Sequence, residues 1–329
     1  MYFIIIILSI LLIIGIILYS KYKNNRRNVL VLKNYNDESG FFWQIHNGLH
    51  TLNEAEINGQ IPIFEFDSGL YLSEKSKDNN WFNDFFEPIG KRKITDKIQY
   101  FTRESFERRI PMYKYDYNRI WKTYIKIRPE IQNEVNAFIN ENFSGKKMLG
   151  IHYRGTDKFQ AYDSSEDYPI HYEYEFCQKL IDEWVETNKS EQTSIGIFVC
   201  SDEQPFVDYI CSETFKKHGI KPSTTNSVRS SISTSGWNLE SEKCVPGSEY
   251  EKNSENCKKY REMRDMSIHK GMKNVSNYDK GKQVLIDVLL LSNCDTFFRS
   301  QGNVSNFPEY LNPNLNIVYM NEKYMNSKK

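Results

Sequence analysis

Lys147-Met-Leu-Gly-Ile-His-Tyr-Arg-Gly-Thr-Asp-Lys158 decides how the chain is read. Its first half is an apolar run of strand length, and its second half breaks into charge and glycine. A helix precedes it: Ile131, Val135, Phe138, Ile139 and Phe143 share one face, and Gly145 stops the period. Another helix follows, in which Tyr172, Phe176, Leu180 and Trp184 stand four apart. Ile195 to Cys200 is a second strand running into Ser201-Asp202-Glu203, and Phe206, Ile210 and Phe215 belong to the next helix. This alternation predicts a parallel α/β sheet, whose ligands bind beyond the carboxyl ends of the strands.

The same grammar extends in both directions. Asn28 to Leu32 and Ile61 to Glu65 read as strands flanking a helical segment over 40–59, with Leu49, Leu52 and Ala55 at helical spacing. Residues 221–260 are polar without a period and read as a long loop. Lys282 to Asn293 is an apolar helix, and Thr296 to Phe298 and Ile317 to Tyr319 are late strands. The expected organisation is an N-terminal domain over 28–128 and a C-terminal domain over 129–322. A length of 329 residues accommodates both.

Tyr2 to Tyr19 is an uncharged apolar run followed by Lys21, Lys23, Arg26 and Arg27. Eighteen residues of helix span roughly 27 Å, enough for a bilayer core. A retained transmembrane anchor at 2–19 is favoured over a cleaved signal peptide, because neither a basic leader nor a small-residue cleavage site is evident. The basic flank favours a cytosolic domain. Four Asn-x-Ser sequons, at Asn142, Asn188, Asn274 and Asn303, matter only in a lumen. Cys177, Cys200, Cys211 and Cys294 fall in apolar segments and are expected as free thiols, while Cys244 and Cys257 could pair in a lumenal domain. Lys plus Arg and Asp plus Glu both number 43, so no net charge draws the chain to nucleic acid.

Chemistry concentrates at the strand ends. Arg154 offers a donor fork that matches phosphate oxygens, and Gly155 permits a tight turn. A charged surface loop is the plain alternative. Asp287 interrupts an apolar helix, where a carboxylate is costly unless donors reach it. Guanine could supply two, whereas a solvent-facing position would need none. Ser300 to Ser305 could form an anion nest at a helix start, although a simple Gly/Asn turn reads the same. No Asp-x-Asp occurs; Glu65-Phe-Asp67 comes closest and could be a substrate-facing carboxylate pair. No CxxC, P-loop or G-x-G-x-x-G is present.

Gly150 to Lys158 resembles the His-x-Arg-x-x-Asp motif of GDP-fucose-dependent fucosyltransferases, the superfamily that includes the α1,6-, NodZ-like and protein O-fucosyltransferases. Lys282 to Asp295, followed by Ser300 to Ser305, resembles that superfamily's late motif. Gly40 through Pro62 is similar to the first segment of its NodZ-like members. The resemblance implies a GT-B architecture of two facing Rossmann-like domains, a nucleotide-sugar donor, a glycan or protein hydroxyl as acceptor, and inversion without an essential metal or other cofactor. It implies catalytic roles for Arg154, Asp157 and Lys158. It places His152, Arg154, Asp202, Asp287, Ser300, Asn303 and Ser305 around the donor, with Arg154 on the β-phosphate and Asp287 reading guanine. Gln301-Gly302 departs from the family's Ser-Ser. The base is unassigned, with Tyr162, Asp163, Glu166 and Asp167 near the usual position. Another GDP-sugar, or binding without turnover, remains an alternative, and a Golgi-type lumenal setting is the expected location.

Overall fold

The computed structural model describes residues 12–15, 27–33, 39–74, 76–102, 109–155, 172–190, 192–231, 233, 235 and 275–327. Asp157, Lys158, the four base candidates, Cys244 and Cys257 lie outside these residues. Of the expected anchor at 2–19, only 12–15 are described, as helix, with residues 12–14 exposed. Among the described residues no helix is long and apolar enough to cross a membrane, so the transmembrane helix is not found there.

Two parallel sheets organise the chain. The first holds β1 (Asn28–Lys33), β2 (Ile61–Glu65) and β3 (Lys97–Tyr100) in the order β2-β1-β3. Val29 to Leu32 are buried on both faces, which is why β1 reads as an uninterrupted apolar run. Helix α1 (Phe41–Ile57) connects β1 to β2, and Gly59 takes the left-handed conformation that ends this segment. The periodicity pointed to one apolar face on α1. The helix instead also buries Gln44, Asn47, His50 and Thr51, because it has neighbours on more than one side. The short helix α2 (Phe82–Phe85) and helix α3 (Lys114–Tyr124) complete this half.

Helix α4 (Pro129–Asn142) opens the second half, with Pro129 in its first turn, where a missing N–H costs nothing. The second sheet has β4 (Lys147–Tyr153), β5 (Ile195–Ser201), β6 (Thr296–Arg299) and β7 (Asn316–Tyr319) in the order β5-β4-β6-β7, all parallel. Helices α5 (Tyr174–Asn188), α6 (Gln204–His218), α7 (Asn277–Ser292), α8 (Asn303–Leu311) and α9 (Met320–Ser327) connect and flank these strands. Gly150, in the middle of β4, lets α7 approach closely: a β-carbon there would sit 2.9 Å from the Cys294 thiol and 3.0 Å from Leu291.

One hydrophobic cluster runs through both halves. Helix α8 is its meeting point. Phe307 packs 4.4 Å from Phe42, and Tyr310 stacks 4.0 Å from Tyr117. The Asn118 amide donates to the Tyr310 and Leu311 carbonyls at 2.8 and 2.7 Å. The C-terminal carbonyls of α8 are thus satisfied by a side chain from the other half.

Candidate active site

The chain leaves β4 towards β5 on one side and returns to β6 on the other. The β4/β6 boundary is therefore the sheet's switch point, where crossovers diverge and a crevice opens. Register aligns His152 with Cys200 on β5 and with Arg299 on β6. The polar residues that end these strands consequently share one edge.

His152 is 3% exposed. Its Nδ1 lies 3.1 Å from the Ser300 hydroxyl and 2.6 Å from that of Ser305, and the two hydroxyls are 3.1 Å apart. Burial, then the charge of Arg154, brings the His152 pKa down to about 3. The ring is neutral at physiological pH and ties the end of β4 to the first turn of α8. Gly302, with φ of +136°, supplies the backbone turn into that helix.

Arg154 pairs with Asp202 at 3.2 Å, and Asp202 also accepts the Gly155 N–H at 2.8 Å. Both side chains of the ion pair are nearly closed to solvent. One carboxylate therefore holds both the arginine and the turn that carries it. Glu203, fully buried, sits beneath Gly155, where any β-carbon would collide with its carboxyl group, and it accepts the Tyr174 hydroxyl at 2.7 Å. Gly155 is thus required by close approach.

Asp287 is 6% exposed, which removes the solvent-facing alternative. It accepts the Thr225 hydroxyl at 2.6 Å and the Ser227 hydroxyl at 3.3 Å. Burial raises its pKa, against the opposing pull of the Thr225 bond and the Arg229 charge. A carboxylate accepts about four hydrogen bonds, so these two internal donors leave about two acceptor positions. Arg229 shapes the segment that supplies these donors: it donates to the Thr225, Ser227 and Ser201 carbonyls at 2.8, 3.1 and 3.2 Å. None of Thr225, Ser227, Arg229 or Glu203 was singled out as a site residue in the sequence. Their one signal was a buried Asp287 in need of donors and a hydroxyl-rich loop able to supply them.

A pocket lies between these elements, lined by Arg154, Asp202, Ser227, Gln283, Asp287 and Val304 among others. Its lining brings together a guanidinium, a residue of the first turn of α8 and a buried carboxylate. Such a lining suits a ligand with an anionic part and a hydrogen-bond-donating part. Asn303, the first residue of α8, stands apart from the His152 group, whose hydroxyl partners are Ser300 and Ser305. The four described cysteines Cys177, Cys200, Cys211 and Cys294 are free thiols, with Cys211 only half-buried. Among the described residues no three His, Cys, Asp or Glu side chains gather where they could hold a metal ion.

No family model matches the sequence, and no curated protein matches it. Solved structures do match in fold. The NodZ α-1,6-fucosyltransferase soaked with GDP-fucose superposes with a TM-score of 0.51 at 14% identity, covering 87% of this chain and 94% of that one. Fucosyltransferase NodZ from Bradyrhizobium gives 0.50 at 15% identity, covering 88% and 94%. The chain therefore has a GT-B-like α/β fold of the kind seen in GDP-fucose fucosyltransferases.

Proposed function

We propose that the chain is an inverting, metal-independent glycosyltransferase that moves L-fucose from GDP-fucose to a glycan or protein hydroxyl. The observation that carries this reading is the Asp202-held Arg154 at the switch point, facing the first turn of α8 across one pocket. In the reaction the acceptor hydroxyl oxygen bonds to the anomeric carbon and releases its proton, ultimately to solvent, and the bond from that carbon to the β-phosphate oxygen breaks. GDP leaves with the electron pair. Charge grows on the β-phosphate, where a guanidinium fork and oriented N–H groups stabilise it most. His152 acts behind them, as a neutral tie that keeps Ser300 and Ser305 in place.

Asp287 lines the same pocket and reads guanine through its two remaining acceptor positions. Asp157 and Lys158 complete the motif loop in this reading. The acceptor approaches from the N-terminal half, and the apolar 2–19 segment anchors the enzyme to a membrane with its domain in a Golgi-type lumen.

The test is release of GDP from GDP-fucose in the presence of mixed glycan acceptors, with and without EDTA. Release that persists in EDTA is the expected result. Release only with another GDP-sugar would change the donor. Loss in EDTA with recovery in manganese would contradict the leaving-group chemistry. Binding without release would identify a non-catalytic nucleotide-sugar binder.

A further inference from the structure

Residues around the start of α7 border two cavities. Val275 and Lys280 line the pocket described above, whereas Asn277, Tyr278 and Asp279 line a second cavity of about 680 Å³, a volume typical of small-molecule sites. The first half contributes Leu72, Ser73, Asn83 and Asp84 to this second cavity, and Arg128 and Glu130 come from the start of α4. Its walls are fixed to one another. The Asn277 amide donates to the Leu72 carbonyl at 2.8 Å. Tyr278 stacks on Phe85 of α2, with centroids 5.4 Å apart and 9° between planes. Gly281 makes room for the Phe85 ring, since a β-carbon there would lie 2.5 Å from it.

Asn83 is the group in this cavity that calls for a ligand. It is 8% exposed. Its backbone is fully engaged: the N–H donates to Asn80, and the carbonyl accepts Arg128 Nε and Nη2 at 2.9 and 2.8 Å. Its side-chain amide makes no hydrogen bond among the described residues, yet it is not sealed from solvent. A nearly buried amide without partners is costly, and here its partners must come from the cavity that it lines. The amide presents two N–H donors beside one acceptor oxygen, and a neighbouring pair of sugar hydroxyls, each both donor and acceptor, matches that set.

Charge narrows the ligand further. The carboxylates of Glu74, Asp84, Glu130 and Asp279 line the cavity against the guanidinium of Arg128, so a phosphate or sulfate would meet net repulsion. An ammonium fits poorly as well, because it carries donors alone and would face the Asn83 N–H groups and Arg128. A neutral polyol suffers neither conflict. Asp84 and Asp279 each accept one serine hydroxyl, from Ser76 at 2.5 Å and from Ser276 at 2.6 Å, and keep further acceptor positions for sugar hydroxyls. Tyr278 adds an apolar surface with a polar tip. We propose that this cavity binds a neutral oligosaccharide, with Asn83 as its buried anchor and Asp84 and Tyr278 beside it, and that it is the acceptor subsite, which makes the acceptor a glycan rather than a protein. The acceptor role rests on the GDP-sugar reading of the neighbouring pocket, whereas the carbohydrate site stands on this cavity alone.

The experiment is ligand-observed NMR titration of the full chain with neutral tetrasaccharides of glucose, mannose, galactose, xylose and N-acetylglucosamine, and with tetralysine as the cationic probe. Wild type, Asn83→Ala and Asn83→Asp are compared, and each is also titrated with GDP and melted. Wild type is expected to bind at least one of the saccharides. Asn83→Ala should bind it roughly tenfold more weakly, the scale of one oriented hydrogen bond, with GDP affinity unchanged. Asn83→Asp keeps the side-chain shape but turns donors into acceptors, and it should weaken saccharide binding similarly. Absence of saccharide binding to wild type, or binding equally tight in Asn83→Ala, would overturn the proposal. Binding of tetralysine in place of the saccharides would overturn it in favour of a cation site. A wild type that binds saccharide but not GDP would overturn the donor reading and the acceptor role with it, while the carbohydrate site stands. If Asn83→Ala does not fold, Asn83→Asp decides, and wild-type saccharide affinity in it overturns the proposal.

Discussion

The carboxyl ends of the two sheets are built on different plans. In the second sheet they carry His152, Ser300 and the nearby Ser305, buried and bonded to one another, and Asp202, buried and paired with Arg154. In the first sheet they carry Lys33 and Glu65, with Asp67 just beyond, in a looser and wetter arrangement. Lys33 lies 3.9 Å from Glu65 and 4.0 Å from Asp67, and Arg92 reaches Glu65 at 3.0 Å. Buried, mutually satisfied polar groups hold one geometry, because breaking any link strands a partner away from water. Exposed ion pairs hold almost none, since water replaces them at little cost. One sheet therefore presents a preformed pocket, and the other an edge that can adapt to what approaches.

The largest effect separating the two edges is expected at Arg154. Arg154→Lys keeps the charge but replaces a planar fork with one mobile ammonium. One oriented donor to a developing anion is worth about 10²–10³ in kcat. Steady-state kinetics should show that loss with a much smaller change in donor KM. Turnover within threefold of wild type, in a variant that melts normally, would reduce Arg154 to a surface charge and erase the contrast.

An intermediate effect concerns pH. His46, His50 and His152 have folded-state pKa values of about 4, 3 and 3, all below their ordinary 6.5. Between 6.5 and those values the unfolded chain binds more protons than the folded one. Stability should thus be flat above 6.5 and fall as the pH drops below it, by at most about 1.4 kcal/mol per pH unit for each imidazole. Melting curves from pH 8 to 5 check this. A midpoint independent of pH would mean that these rings are hydrated.

The smallest effect belongs to the first sheet. Glu65→Gln is expected to leave GDP affinity unchanged and to alter the acceptor KM by no more than about threefold, the scale of an exposed pair. A tenfold loss of GDP affinity would show that this edge also builds the donor pocket.

How much of this could be read from sequence follows the same division. β1, β4 and β5 were legible almost to the residue, because strands buried on both faces leave uninterrupted apolar runs, and β2 was legible from its short apolar run although only Ile63 and Phe64 in it are buried. β3 was missed: Lys97 to Tyr100 is exposed throughout and carries no pattern. Helix α3 leaves no clear period in the sequence, since Tyr117 and Trp121, which pack on α8, sit in a stretch dense in tyrosine. His152, Arg154, Asp202 and Asp287 were legible as unusual residues at strand ends or in an apolar helix. Their partners Thr225, Ser227 and Arg229 were not, because hydroxyls in an irregular loop acquire meaning only from the buried group they satisfy. His46 and His50 did leave a trace, an i, i+4 pair of imidazoles on a helix otherwise read as a core element.

The central claim is that the pocket between β4, β5, α7 and α8 is shaped for a guanine diphosphate. Thermal melting of the full chain with GDP, and separately with UDP, tests it most directly. At a ligand concentration about 100 times Kd, linkage predicts roughly 2.7 kcal/mol of stabilisation. GDP should raise the midpoint accordingly and UDP should not, because uracil lacks the paired N1–H and 2-amino donors proposed to meet the two free acceptor positions of Asp287. Equal stabilisation by both nucleotides, or by neither, would contradict the account.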